Sequence, residues 1–359
     1  MTASLRLVLD TGAEPDIASA AVQLGRALVR TAPSGCEVAA IAPSGADVEE
    51  AVPGLADVRR LSFARRELLA AWQLGVTAGV GGGLIHAPSL LAPLTRHDRV
   101  HDNDQTVVTV WDLDVWERPD LLSRSAVAWQ KAMFKRAQKH ADAVVVPTHA
   151  MAERLAERSR LGGRVRVVSG AAPTGFAVPV DAVGRRRTLG IPDGTVVLAS
   201  VDGADLAFAA LAGVDLPVVV LDAGEGDEPL VADRATAAGI PRSHLHVRGR
   251  LDDADRAALL DSALVVVAPS LRSAFPWRVV DALALGVPVV AAASDVHRDV
   301  IADGGALADA DADALGAAMQ KALASNEAIE RMSVLAADRG RAFAWRDAAD
   351  RVWQLHAEL

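Results

Sequence analysis

The residues best suited to chemistry in this sequence lie where apolar runs end. Asp112 follows the apolar run 106–111, and Arg248 and Arg250 flank Gly249 at the end of another run. Carboxylates accept hydrogen bonds from hydroxyl groups, and arginine binds phosphate oxygens through its planar guanidinium group. A pattern of strands separated by helices predicts that a ligand binds at the carboxyl ends of the strands. Arginines at such positions are also common on protein surfaces.

Short apolar runs rich in valine alternate with longer helical patterns along the chain. The runs predict strands at residues 5–9, 37–41, 84–86, 106–111, 143–147, 165–168, 195–199, 217–221, 245–248, 264–268 and 287–291. The helical patterns between them include residues 16–31, 127–140, 228–238, 253–262, 278–285 and 311–325. Strands that are separated by helices imply parallel βαβ units, in which both faces of the sheet are covered.

The alternation breaks once, at residues 175–194, where prolines, glycines and the run RRR predict an interdomain linker. We therefore expect an α/β protein with two Rossmann-like, doubly wound domains and a ligand site in the cleft between them. The first domain is placed at residues 1–178, the second at 179–342, and a last helix at 343–359.

Composition excludes several classes of protein. A net charge of −9 without a basic arm argues against nucleic-acid binding. The single cysteine, Cys36, excludes an internal disulfide, and the lack of Cys/His clusters argues against structural zinc. The N-terminal residues predict a strand rather than a signal peptide, and no apolar run is long enough to span a bilayer. We expect a cytoplasmic protein.

The stretch 269–282 reads PSLRSAFPWRVVDA and continues as LALGVPVVAAASD. It resembles the donor-sugar loop of the retaining family 4 glycosyltransferases, in which P-S-x-x-E-G-F-G-L-P-x-x-E-A precedes G-x-P-V-V. The stretches 107–120, 129–157 and 246–270 resemble further segments of that family, in the family's order. On these four stretches the chain is identified as a member of that family, the glycosyl transferases group 1.

The resemblance implies a GT-B fold, in which two Rossmann-like domains face each other across a cleft. It also implies transfer of a hexose from a nucleotide sugar, a UDP- or GDP-hexose, to a glycan or lipid-linked acceptor without a cofactor or a metal ion. The sequence Phe343-Ala344-Trp345 resembles the entry to a last helix that crosses back onto the first domain. A last helix that packs on its own domain is the alternative.

The resemblance assigns roles on the donor side. Asp281 stands at the glutamate that accepts hydrogen bonds from the ribose hydroxyls, and Val279 belongs to the preserved frame of the loop. Ser273 replaces the glutamate that lies near the donor sugar. Gly249 lies in the stretch that holds the nucleotide, and its two flanking arginines are candidates for binding the diphosphate.

Several positions depart from the family pattern. Trp111 occupies the position at which the family has a histidine that helps to hold the reacting sugar. The aspartate that follows this position in the family is retained as Asp112. Its indole could stack on a sugar or only fill space, because it has one N–H donor and no acceptor. Residues 196–214 contain no Arg or Lys where the family has a pair that stabilises the leaving diphosphate, and Asp202 and Asp205 stand there instead. Two carboxylates would repel a diphosphate.

Three residues are candidates on the acceptor side. Gly12 lies at the end of the first strand. In the family, residues at this position often line the acceptor-phosphate side of the site. His86 ends a strand after a triple glycine and could contact an acceptor, or it could be a histidine at the edge of the core. Thr148 begins a helix whose N–H groups could bind an anion, and an ordinary N-cap is the alternative.

Residues 58–76 place four arginines beside apolar side chains and predict a basic amphipathic helix. Such a helix could contact an anionic membrane at its inner face. A surface helix with its apolar side in the core is the alternative.

Two functions stay open from the sequence. One is an active glycosyltransferase, in which Arg248, Arg250 or Arg278 replaces the missing cations. The other is a catalytically inactive relative that acts as a binding, scaffold or regulatory partner of an active glycosyltransferase paralogue.

Overall fold

The structure, a computed structural model, describes residues 3–77, 79–97 and 104–359. The chain divides into two compact units, Met1–Gly170 with Ser273–Phe275 and Ala344–Leu359, and Ala171–Arg272 with Pro276–Phe343. Each unit is built on one parallel sheet with helices between its strands. The α/β class predicted from the alternating pattern is therefore confirmed.

The first unit contains a seven-stranded sheet in the order β3-β2-β1-β4-β5-β6-β7. Its elements are β1 (Ala3–Val8), α1 (Pro15–Arg30), β2 (Cys36–Ala42), β3 (Val58–Arg60), α2 (Arg65–Gln73), β4 (Leu84–Ala87), β5 (Gln105–Thr109), α3 (Asp114–Glu117), α4 (Arg124–His140), β6 (Ala143–Val146), α5 (His149–Arg158) and β7 (Val165–Val167). The last helix of the chain, Trp345–Glu358, also belongs to this unit.

The second unit contains a six-stranded parallel sheet in the order β10-β9-β8-β11-β12-β13. Its elements are α6 (Ala182–Thr188), β8 (Thr195–Leu198), α7 (Ala204–Ala210), β9 (Val218–Val220), α8 (Glu228–Ala237), β10 (Leu245–Val247), α9 (Asp253–Asp261), β11 (Ala263–Ala268), α10 (Trp277–Ala284), β12 (Val289–Ala292), α11 (Asp295–Ile301), β13 (Ala306–Ala308), α12 (Ala312–Ala322) and α13 (Asn326–Gly340). We call the helix Trp345–Glu358 α14.

The inner strands consist of unbroken apolar runs. Helices cover both faces of each sheet, so that side chains on both faces of an inner strand are buried. In β11 the consecutive residues Val265, Val266 and Val267 are all fully buried. Such runs are typical of parallel sheets that lie between helices. No helix in the described ranges is both long enough and apolar enough to cross a membrane.

The prediction of one amphipathic helix over residues 58–76 was wrong. Residues Val58–Arg60 form the edge strand β3, and the helix covers only Arg65–Gln73. The helix buries Leu68 and Trp72, so its apolar side faces the protein interior. The three-residue strand was missed because VRR carries too short a pattern to distinguish a strand from a helix.

Helix α14 packs on α1 within the first unit. Its buried side includes Trp345, Val352 and Trp353, and the indole N–H of Trp353 donates to the carbonyl of Leu28 at 3.3 Å. The apolar side of the amphipathic last helix is therefore buried against α1, the helix that follows the first strand.

A buried polar cluster joins α14 to the sheet of the first unit. His356 Nδ1 donates to Gln105 Oε1 at 2.9 Å, and His356 Nε2 lies 3.4 Å from His86 Nδ1. His86 is fully buried, and its Nε2 has no hydrogen-bond partner among the described residues. Burial lowers the pKa of His356 to about 4 and holds the pKa of His86 well below its usual value. Both rings are therefore neutral near pH 7.

The folded chain should lose stability as the pH falls from about 6.5 to about 4, because the unfolded state then binds a proton that His356 in the folded state does not. The lowered pKa corresponds to roughly 3 kcal/mol. Urea unfolding at several pH values should show this loss in the wild type and in His149→Asn, an exposed control. His356→Asn should show a smaller loss. Equal pH dependence in the two variants would contradict the assignment.

Candidate functional site

The strand order of the first sheet creates a crevice beyond β1 and β4. The chain leaves β1 toward β2 and β3 on one side, and β4 to β7 continue the sheet on the other side. Doubly wound sheets bind ligands at such a switch point, outside the carboxyl ends of the strands. A pocket of about 160 Å³ lies there, and its lining includes Asp10, Glu14, Arg65, Trp111, Asp112 and Trp129.

An ion pair fixes one side of this pocket. Arg65 Nε donates to Asp10 Oδ1 at 2.7 Å, and the N–H of Gly12 donates to the same oxygen at 3.2 Å. A Cβ atom at position 12 would lie 2.6 Å from Arg65 Cδ, so glycine lets the arginine reach the aspartate. The predicted acceptor-side residue Gly12 thus adjoins the pocket. Arg65, one of the four arginines of the stretch 58–76, lines the pocket, although the sequence analysis did not place it in the site.

Two tryptophans supply the apolar part of the lining. The indole N–H of Trp111 donates to the carbonyl of Pro88 at 2.8 Å, and that of Trp129 donates to the carbonyl of Leu69 at 3.0 Å. Both residues line the pocket, and since indole has only one N–H, neither ring has a second N–H to donate to a ligand. Trp111 is 7% exposed and fixed by its neighbours.

Asp112 is oriented by the turn that opens α3. Its Oδ1 accepts the N–H of Asp114 at 3.0 Å. Asp112 also lines the pocket, and an ionised carboxylate is a hydrogen-bond acceptor. Nearby, Phe275 donates its N–H to the carbonyl of Trp111 at 3.2 Å, and the two rings pack at 6.0 Å between centroids.

The predicted catalytic residue Ser273 is held by Glu117 at the end of α3. Glu117 Oε2 accepts the N–H of Ser273 at 3.1 Å, and Glu117 Oε1 pairs with Arg154 Nη2 at 2.7 Å. Burial would raise the pKa of Glu117, but the hydrogen bonds from Arg154 and Ser273 hold it below its usual value. Ser273 is 4% exposed, so its hydroxyl is largely shielded from solvent.

In the second unit, Asp281 is buried between two arginines. Its Oδ2 accepts from Arg256 Nε and from Arg278 Nη1, each at 2.8 Å. Arg278 also pairs with Asp222 at 2.7 Å, and Arg256 pairs with Asp253 at 2.8 Å. The carboxylate that the sequence assigned to ribose is thus 2% exposed and serves as the counter-ion of two buried cations.

The remaining residues predicted on the donor side differ in their surroundings. Arg248 is half-buried and hydrogen-bonds to the carbonyls of Leu189 and Val247, and burial lowers its pKa. Arg250 is exposed. A Cβ atom at Gly249 would lie 3.6 Å from the carbonyl oxygen of Ala223, which is an ordinary van der Waals contact.

Two other predicted donor-side residues are accounted for by packing and by a surface ion pair. Val279 is buried in α10. Asp205 is largely exposed and pairs with Arg234 at 2.8 Å, and this hydrogen bond lowers the pKa of Asp205.

The two other acceptor-side candidates have structural partners. Thr148 Oγ1 accepts the N–H of Met151 at 3.1 Å and caps α5. His86 lies in the buried cluster with His356, and not among the residues that line the pocket.

Comparison with known proteins identifies the second unit. Residues 197–338 match the family model described as glycosyl transferases group 1. The resemblance to group 1 glycosyltransferases is confirmed for these residues. A phosphatidyl-myo-inositol mannosyltransferase of Mycobacterium leprae is 34% identical over 143 residues, which are 39% of this chain and 37% of that protein. The D-rhamnosyltransferase WbpZ of Pseudomonas aeruginosa is 38% identical over 91 residues, 24% of this chain and 23% of that protein. The chain thus matches well under half of the length of these curated relatives.

Solved glycosyltransferase-like structures resemble the fold of nearly the whole chain, although their sequence identity to it is low. Sucrose-phosphate synthase of Thermosynechococcus elongatus superposes with a TM-score of 0.71 at 20% identity, covering 99% of this chain and 98% of that one. HepE of Anabaena in complex with UDP-glucose gives 0.71 at 16% identity, covering 99% and 100%. The expected GT-B fold is confirmed.

The sequence analysis did not find the partners of some of its predicted residues in the second unit. Arg256 and Asp222 hold the cluster around Asp281, although they lie 25 and 56 residues from their partners. Arg256 also lies over the ring of Phe176, 5.1 Å from its centroid. The pattern of an amphipathic helix predicts that an arginine such as Arg256 is exposed. Its burial is evident only from its contacts in the folded unit.

Asp281→Asn should lower the free energy of unfolding by about 3–5 kcal/mol, because it leaves two buried guanidinium groups without their shared counter-ion. Asp338→Asn, at an exposed pair with Arg341, should change it by less than about 1 kcal/mol. Chemical denaturation measures both variants. If the two changes are equally small, Asp281 does not stabilise this cluster.

Proposed function

We propose that this chain is a retaining glycosyltransferase that transfers a hexose from a nucleotide sugar to a hydroxyl group of a glycan or lipid-linked acceptor. The observation that carries the proposal is the pocket at the β1–β4 switch point, in a chain whose residues 197–338 match group 1 glycosyl transferases. HepE, whose fold this chain resembles, was solved with UDP-glucose, which supports a nucleotide sugar as donor.

The size of the pocket suits one six-membered ring. Its volume of about 160 Å³ is close to that of an engineered protein cavity of about 150 Å³ that accepts benzene. The tryptophan surfaces suit the C–H face of a sugar or a cyclitol, and the carboxylates and Arg65 suit its hydroxyl groups. The name of the mannosyltransferase relative includes a lipid-linked cyclitol, an acceptor of this chemical class.

We assign to Asp112 the hydrogen bond from the acceptor hydroxyl. Asp112 lines the pocket, and its carboxylate is oriented by the N–H of Asp114. A positioned carboxylate that accepts a proton in the transition state contributes about 10²–10⁴-fold to the rate. Trp111, which lacks an acceptor, provides packing beside it.

A second candidate function is an inactive relative that binds a nucleotide sugar or a partner glycosyltransferase. Two observations favour it. Residues 196–214 contain no Lys or Arg, and the indole N–H at position 111 is already bonded to the backbone carbonyl of Pro88. Stabilisation of charge on the leaving group is commonly the largest catalytic contribution, so the loss of cations bears directly on turnover.

A transfer assay with mass-spectrometric detection decides between the two. The purified chain is incubated with a panel of UDP- and GDP-hexoses and with phosphatidylinositol or short glycans as acceptors. We expect a glycosylated product from one donor–acceptor pair, and at least about a hundredfold lower rate for Asp112→Asn. Asp338→Asn, at the exposed pair with Arg341, is the matched control.

The outcomes separate the candidates. Binding of a nucleotide sugar without any product supports the inactive relative. If the chain neither binds a donor nor forms a product, the proposal of a glycosyltransferase is wrong.

A further inference from the structure

The second sheet has its own switch point, between β8 and β11. From β8 the chain continues to β9 and β10 on one side, and β11 to β13 extend the sheet on the other side. The loops that follow β8 and β11 therefore diverge at the carboxyl edge of the sheet. This is where a doubly wound unit opens a crevice for a ligand.

The two loops are tied together by a polar contact. Asp202 in the loop after β8 accepts a hydrogen bond from the hydroxyl of Ser270 in the loop after β11, and the same Asp202 oxygen lies 3.2 Å from Arg272 Nε. Gly203 allows this approach, since a Cβ atom there would lie 2.8 Å from the backbone of Pro269. Its φ of +75° is also one that favours glycine.

Arg272 is linked to both loops, by its ion-pair distance to Asp202 and by its backbone N–H, which donates to Ser270 Oγ at 3.3 Å. The Asp202 side chain is 14% exposed and that of Arg272 is 29% exposed, so the pair is partly shielded but within reach of a ligand. The Asp202 carboxylate lies near the Nε side of the guanidinium group, at an ion-pair distance without a hydrogen bond to Nε. The terminal amino groups of the same plane carry the other N–H donors, in the fork geometry that matches two phosphate oxygens.

Three other arginines of this unit lie outside the switch-point loops. Arg256 and Arg278 share the buried carboxylate of Asp281, and Arg248 binds two backbone carbonyls. Arg272 lies on the switch-point loop itself, next to residues 196–214, which contain no Lys or Arg.

We propose that Arg272, positioned by Asp202 and Ser270, binds the diphosphate of the nucleotide donor. The inference rests on the proposed function and identifies a cation that would bind the diphosphate of the donor. It gives Asp202 a positioning role, since its charge is offset by the guanidinium and the hydroxyl that it holds. A phosphate then adds to, or replaces part of, the present contacts of Arg272.

Calorimetric titration with uridine, UDP, guanosine and GDP tests the inference on the intact chain. We expect UDP or GDP to bind more tightly than its nucleoside. Arg272→Gln should weaken the diphosphate about ten- to a hundredfold and leave the nucleoside unchanged, because it removes charge-assisted hydrogen bonds to phosphate alone. Asp202→Asn should weaken the diphosphate less, and Arg272→Lys should restore part of its affinity.

Arg242→Gln is the matched control, at an exposed ion pair with Asp233. Thermal unfolding of each variant verifies that it is folded. If the wild type binds the diphosphates and Arg272→Gln binds them equally well, this inference alone is overturned. If the wild type binds none of the four compounds, both the inference and the proposed function are contradicted.

Discussion

The parallel order of the strands is the constraint on which the remaining structure depends. In each unit the carboxyl ends of all strands meet at one edge, and the chain changes direction once, at β1/β4 and at β8/β11. Backbone groups at such a switch point are not covered by a crossing connection, so polar loops collect there. The pocket of the first unit and the Asp202–Ser270–Arg272 contact of the second unit both follow from this order.

Burial decides which charged residues are available for binding. The three charges of Asp281, Arg256 and Arg278 are neutralised within the second unit and hold α9 to α10. Removing a charge from such a cluster is costly, since a buried ion without its partner loses its hydration without compensation. An aspartate in a family-like loop can therefore stabilise the fold even where sequence comparison suggests a contact with a ligand. Loss of ligand binding after its substitution must be separated from loss of the fold.

The sequence predicted the inner strands and most of the helices, because unbroken valine runs and amphipathic repeats are local patterns. It did not predict the edge strands β3 and β13, whose sequences VRR and ALA are too short and too little β-branched to be told from a loop or a helix. For the site, the sequence placed Asp112 at the end of a strand but could not show that Arg65 reaches Asp10 across 55 residues. It likewise gave no sign that Arg272 contacts Asp202, since such contacts depend on the closeness of two loops in the folded unit.

The nucleotide sugar that we propose as donor should bind at the carboxyl edge of the second sheet. Hydrogen–deuterium exchange with and without UDP- or GDP-hexose tests it directly, because backbone amides in contact with a ligand exchange more slowly. The account predicts slower exchange at residues 200–203 and 269–272 with one of these donors. Saturating donor that leaves exchange at both loops unchanged would contradict it.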